Sequence, residues 1–217
     1  MGTLYIVATP IGNLEDITLR ALRILKEVDS IACEDTRKTK ILLDRFSIKK
    51  NLISYHQHSR LSKIDFLISE IKDGKNIAVV TDAGTPGISD PAGVLIAEAL
   101  KANIEVVPIP GVSAVTTLLS VTDQSVDKFL FLGFLPKKKG RKTLLESISE
   151  SKLPVIFFES PHRILKTLEE LKQFVGDRPL IVGRELTKKF EEIYRGQISE
   201  ILPKIKPRGE FVILIKN

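Results

Sequence analysis

Six short stretches concentrate the residues whose types and spacing suit chemistry: "ATPIGN" (8–13), "CEDTR" (33–37), "TDAGTP" (81–86), "PIPGVSA" (108–114), "ESPHR" (159–163) and "GRELTK" (183–188). Each ends or follows an apolar, β-branched run, so each falls where a strand should stop. They gather the carboxylates Glu34, Asp35, Asp82, Glu159 and Glu185 and the cations Arg37, Arg163, Arg184 and Lys188. Extended by seven residues, the third stretch becomes "TDAGTPGISDPAG", whose three glycines and two prolines suggest backbone shaped to approach a ligand closely. No G-x-x-x-x-G-K-S/T and no G-x-G occur, which excludes the P-loop and the Rossmann dinucleotide fingerprint. Loops rich in proline and carboxylate suit a neutral or cationic ligand with hydroxyls and an adenine-like ring, read by backbone N–H and C=O groups.

Each residue also has a plainer reading. Asp82 either contacts a ligand or caps the turn that follows it. Glu34 and Asp35 either act on a substrate or cap a helix beginning near Thr36. Ser113 fits the first turn of a helix as well as a ligand contact, and His162 fits a helix start as well as an RNA contact. His56 and His58 have no evident third ligand, so no metal site is expected. "PKKKGRK" (136–142) places five cations in seven residues and is either a solvated loop or a phosphate-contacting patch.

The elements that must position these loops are legible from periodicity. Runs such as "LYIVA", "SIAC", "NLISY", "NIAVVT" and "IEVVPI" alternate with stretches of helical period, which predicts a largely parallel α/β sheet covered on both faces. In the third helix Leu61, Ile64, Leu67, Ile68 and Ile71 are expected to share the buried face. Ligands on such sheets bind beyond the carboxyl ends of the strands. Around 121–128 the rhythm breaks. The second half, with "FLFLGFL", "PVIFFE", "PLIVGREL", a run near "FEEIYRG" and "EFVILI", carries fewer helices per strand and predicts a smaller domain with a mixed sheet. The expected division is 1–121 and 122–217, with a cleft between.

With 217 residues, 43% hydrophobic and 28% charged, the composition is that of a soluble globular protein. No run approaches the length of a membrane span and no secretory signal is evident, so a cytoplasmic location without membrane association is expected. Cys33 is the sole cysteine, which excludes an internal disulfide and a cysteine-built zinc site. The net charge of +6 is compatible with an acidic partner.

Taken in order, "LYIVATPIGNLEDIT", "ACEDTR", "TDAGTPGISDPAG", "PIPGVSAVTTLLS", "GFLPKKKGRK", "FFESPHR", "RELTK" and "RGEFVILI" resemble the S-adenosylmethionine-dependent methylases of the tetrapyrrole methylase superfamily. The resemblance spans essentially the whole chain and is strongest to the branch that methylates cytidine ribose in the decoding region of small-subunit ribosomal RNA. It implies a two-domain α/β fold, S-adenosyl-L-methionine in the interdomain cleft, a homodimer, and the ribosomal subunit or its RNA as partner. By motif, the cofactor is expected at Pro10, Ile11, Asp82, Ala83, Gly84, Thr85, Ser113 and Ala114, and at Phe158, Gly183 and Gly209 of the second domain. Glu34, Asp35, Arg37, Glu159, Arg184, Glu185 and Lys188 are candidates for the base or for nucleotide positioning. Lys137, Lys138, Lys139, Arg141, Lys142, His162 and Arg163 are candidates for RNA contact. Two alternatives stay open: a corrinoid C-methylase, against which "TPIGN", "CEDTR" and the basic loop argue, and a catalytically silent RNA-binding relative. Arg208 stands where many relatives carry lysine, and "FVILIKN" is followed by none of the C-terminal segment some relatives possess, which bears on ribosome docking.

Overall fold

The computed structural model describes residues 1–56, 61–123 and 125–216. The chain divides into two compact units, Met1–Ser113 and Ala114–Asn217.

In the first unit the expected alternation is observed: β1 (Thr3–Val7), α1 (Leu19–Glu27), β2 (Ser30–Cys33), α2 (Thr36–Arg45), β3 (Asn51–Ser54), α3 (Leu61–Lys72), β4 (Ile77–Val80), α4 (Ala92–Lys101) and β5 (Glu105–Ile109). All strand pairs are parallel, in the order β3-β2-β4-β1-β5. The two-residue period of each strand divides its side chains between two cores. Leu4, Ile6, Ala32, Ile77 and Val79 face α3 and α4, while Val7, Ile31, Cys33, Ala78, Val80 and Ile109 face α1 and α2. Burial on both faces explains why β4 reads as an unbroken apolar run and β2 as one from Ile31 onward. In α3 the expected stripe holds for Ile64, Leu67 and Ile71, with Ile68 partly buried, but Leu61 opens the helix and is 76% exposed. The metal reading of the histidines at 56 and 58 falls partly on His58, which lies outside the described residues.

The second unit comprises α5 (Ala114–Leu119), β6 (Leu130–Phe134), α6 (Arg141–Glu150), β7 (Val155–Glu159), α7 (Ile164–Val175), β8 (Pro179–Arg184), β9 (Glu192–Gln197), α8 (Ile198–Ile201) and β10 (Phe211–Ile215). Its sheet is mixed, in the order β6-β7-β10-β8-β9, with only β6 and β7 parallel. One face packs Val155, Phe157, Val182, Phe211 and Ile213 against Leu145 and Ile148 of α6, Ile164, Leu168 and Leu171 of α7, and Ile198 and Ile201 of α8. The division falls at 113/114, where the sequence suggested 121/122. The reason is α5, which belongs with the second sheet: it packs on β10, and Leu118 lies against Gly183.

Candidate active site

Four loops leave the carboxyl ends of β1, β2, β4 and β5 in the first unit, and short contacts tie them together. Thr9 and Gly84 exchange backbone hydrogen bonds, Thr9 N–H donating to the Gly84 carbonyl at 2.9 Å and Gly84 N–H to the Thr9 carbonyl at 3.0 Å. The Thr9 hydroxyl donates to the Thr81 carbonyl at 3.0 Å. Gly84 sits at φ 81°, a left-handed conformation that side-chain-bearing residues rarely adopt. At Gly111 a Cβ would stand 2.8 Å from the Ala8 Cβ, so the β5 loop can close on the β1 loop only with glycine there. Pro10 and Ile11 are buried within this construction, while Ala83 is exposed and Thr85 and Ser113 are partly so.

Asp82 does not cap its own turn. One carboxylate oxygen accepts from the Asp35 N–H at 3.1 Å and the other from the Lys38 ammonium at 2.7 Å, linking the β4 loop to the start of α2. The turn after it is closed by Asp90, which accepts from the N–H groups of Gly87 and Ala92 at 2.9 Å each. Asp35 is the N-cap of α2, accepting from the Arg37 N–H at 2.9 Å, and its carboxylate also takes two bonds from the Arg37 guanidinium. Those bonds hold Asp35 well below the usual carboxylate range, so it stays ionised and makes a poor base. Glu34 differs. It is half-buried, with its nearest donor the Thr81 hydroxyl at 3.4 Å. Burial first, then the charges of Asp82 and Asp90, raise its pKa against the opposing pull of Thr81 and Lys38.

In the second unit several expected site residues have internal duties. The Glu159 side chain has no exposed surface: one oxygen accepts from Ser160 N–H and pairs with Arg163 at 2.6 Å, the other accepts from Thr167 at 2.8 Å. It anchors the helix start, and its full burial among these partners argues against its serving as a base. Arg163 itself donates to the Leu135 carbonyl at 2.9 Å. Arg141 donates to Glu170, Thr167 and the Pro136 carbonyl, at 2.7, 2.8 and 3.0 Å. These bonds give both arginines, expected to contact RNA, a bracing role within the second unit. Lys137, Lys138, Lys139, Lys142 and His162 remain exposed.

Arg184 is buried and donates to the carbonyls of Arg208 and Phe190 and to Glu192, which fastens the loop following β8. In that loop Glu185 and Thr187 have φ of 51° and 66°, unusual for residues carrying side chains. Burial would raise the Glu185 pKa, but Lys188 at 2.9 Å and the Glu210 N–H at 2.9 Å lower it. Gly209 lies over Glu185, where a Cβ would stand 2.4 Å from the Glu185 side chain, and Gly183 lies under Leu118 and Leu186, where a Cβ would be tight at 3.0 Å. Phe158 is half-buried between Phe131 and Phe134.

The structure therefore assembles one set around the first sheet's strand ends, namely Pro10, Ile11, Glu34, Asp35, Arg37, Asp82, Gly84 and Thr85. Sequence reading missed Lys38, Thr81 and Asp90, which complete it. Lys38 follows "CEDTR" directly, and its position one helical turn after the N-cap was the available signal.

A family model for tetrapyrrole (corrin/porphyrin) methylases matches residues 3–202. A ribosomal RNA small subunit methyltransferase I of Thermotoga maritima is 45% identical, over 100% of this chain and 99% of its own length. The protein of the same description from Halalkalibacterium halodurans is 46% identical over 100% of this chain and 76% of its own length. Among solved structures, a uroporphyrin-III C-methyltransferase from Thermus thermophilus, complexed with S-adenosylhomocysteine, superposes with a TM-score of 0.70 at 17% identity, covering 98% of this chain and 97% of the other.

Proposed function

We propose, from the premise that the chain belongs to the tetrapyrrole (corrin/porphyrin) methylases, that it transfers the methyl group of S-adenosyl-L-methionine to the 2′-hydroxyl of a cytidine in the decoding region of small-subunit ribosomal RNA. The observation that carries this reading is the end-to-end similarity to ribosomal RNA small subunit methyltransferase I, which includes every strand-end loop. Homodimeric assembly and a cytoplasmic site of action belong to the same proposal. Among the described residues no helix is long and apolar enough to cross a membrane.

The first-unit loops fit such a cosubstrate. They offer the half-exposed carboxylates of Asp82 and Asp90, the exposed backbone at Ala83, and glycine at the tightest approach. Pro10, Ile11, Asp82, Ala83, Gly84 and Thr85 would hold it, with Ser113 and Ala114 where the β5 loop ends. Bound there, it supplies an electrophilic methyl on a sulfonium that leaves readily. What the protein must add is alignment of the ribose oxygen and exclusion of water. A ribose hydroxyl is a weak nucleophile, so a proton acceptor assists it. Glu34 suits that role, since it is partly exposed and its surroundings favour taking up a proton.

The test is transfer of labelled methyl from S-adenosylmethionine to small ribosomal subunits taken from cells lacking the protein, followed by nucleoside analysis. Label in a single 2′-O-methylcytidine is expected. Label in no nucleoside refutes the reading, and transfer instead to a corrinoid macrocycle offered in a parallel reaction would assign the chain to C-methylation.

A further inference from the structure

Away from the strand-end loops of the first unit, the edge strand β6 carries an aromatic group with an unusual setting. In a regular strand, residues three apart point to opposite faces. Here Phe131 pairs with Ile156 and Phe134 with Phe158, so three steps on β6 match two on β7. The extra residue is a bulge at Leu132–Gly133, with Gly133 at φ 60°. Its effect is to turn both rings to the same side. Phe131 meets Phe158 edge-on at 5.2 Å and Phe134 meets it tilted at 5.4 Å. Phe134 is thus supported from behind, yet it remains 54% exposed.

Three residues further on begin Lys137, Lys138 and Lys139, all exposed and none in an ion pair among the described residues. The loop that carries them is braced at its base. Arg163 grips the Leu135 carbonyl and Arg141 the Pro136 carbonyl, and both guanidiniums are fixed by Glu159, Thr167 and Glu170. A merely solvated basic loop needs no such bracing. An exposed ring resting on a second ring, beside a row of cations whose loop is braced at its base, combines the two elements of single-stranded nucleic acid recognition: a face for a base and charge for the phosphates.

We propose that Phe134 is a stacking platform for an unpaired nucleobase of the RNA substrate, whose flanking phosphates lie along Lys137–Lys139. The proposal rests on the RNA-methylating reading above and adds to it a docking site on the second unit. Because the ring already rests against Phe158, less side-chain freedom is lost when a base settles on it than for an unsupported ring.

The experiment measures binding of a fluorescein-labelled oligoriboadenylate to the full chain by anisotropy over a range of salt. The proteins compared are the wild type, Phe134→Ala, Phe134→Leu, Phe134→Trp, and a triple variant with Lys137→Ala, Lys138→Ala and Lys139→Ala. Phe134→Ala and Phe134→Leu should each weaken binding by roughly 5- to 150-fold while leaving the salt slope unchanged. Phe134→Trp should retain affinity, with its indole fluorescence quenched by the RNA. The lysine variant should lower the slope instead. Equal affinity for Phe134 and Phe134→Leu would overturn stacking, and a change of oligomeric state in Phe134→Ala by sedimentation would assign the ring to a contact between copies. Wild type that binds no RNA even at low salt would refute the RNA reading itself, which separates that failure from the failure of the platform.

Discussion

Four carboxylates were candidates for accepting the ribose proton, and their surroundings separate them. Arg37 keeps Asp35 ionised at low proton affinity, Glu159 is enclosed by Ser160, Arg163 and Thr167, and Glu185 is bound by Lys188 and the Glu210 amide. Glu34 alone of the four combines partial exposure with a raised pKa, caused first by burial and then by Asp82 and Asp90. A carboxylate accepts a proton only when ionised, and raising its pKa moves that condition to higher pH. The acidic limb of kcat/KM, which reports the free enzyme, should therefore lie at higher pH than an exposed glutamate would give. Glu34→Gln should lower kcat by about 10²- to 10⁴-fold, remove that limb and leave S-adenosylmethionine affinity unchanged by titration calorimetry. Unaltered kcat would shift the role to another group. At this scale the sequence told residue types well and partners poorly. "CEDTR" marked the place, but that Asp35 caps α2 while its neighbour stays available depends on pairings of residues 34–38 with Thr81 and Asp82, which span 44 to 47 residues of chain. Likewise Arg141 and Arg163 read as surface charge because Glu170 and the Leu135 carbonyl, their partners, are 29 and 28 residues away.

Among the elements, the parallel sheet was legible because burial on both faces leaves a continuous apolar signal, and helix period separated each strand from the next. Two features were not. The four residues of α8 are too few to show a period. The allegiance of α5 was hidden because it depends on contact with β10, nearly a hundred residues later, and not on its own pattern. The loops between elements are also sterically coupled. Gly111 and Ala8 meet so closely that Gly111→Ala should destabilise the protein by about 1–3 kcal/mol through overpacking. Adding Ala8→Gly should recover most of that loss, measured by urea denaturation of both variants and the pair. A pair no more stable than Gly111→Ala alone would show that the two loops are not in contact as described.

For the molecule as a whole, each unit has its own sheet and core, and similarity to the ribosomal RNA methyltransferases extends through both. The positive net charge of +6 suits a polyanionic partner, and its concentrated part lies on the braced loop of the second unit. The methyl-donor site is proposed at the first unit's strand-end loops, where those of β1, β4 and β5 converge on Thr9, Gly84 and Gly111. The most direct measurement is a crystal structure of the protein grown with S-adenosylhomocysteine. The ligand is predicted against Pro10–Ile11 and Asp82–Thr85, beyond the carboxyl ends of β1 and β4. Those loops bare in a crystal that carries the ligand elsewhere, or not at all at saturating concentration, would contradict the account.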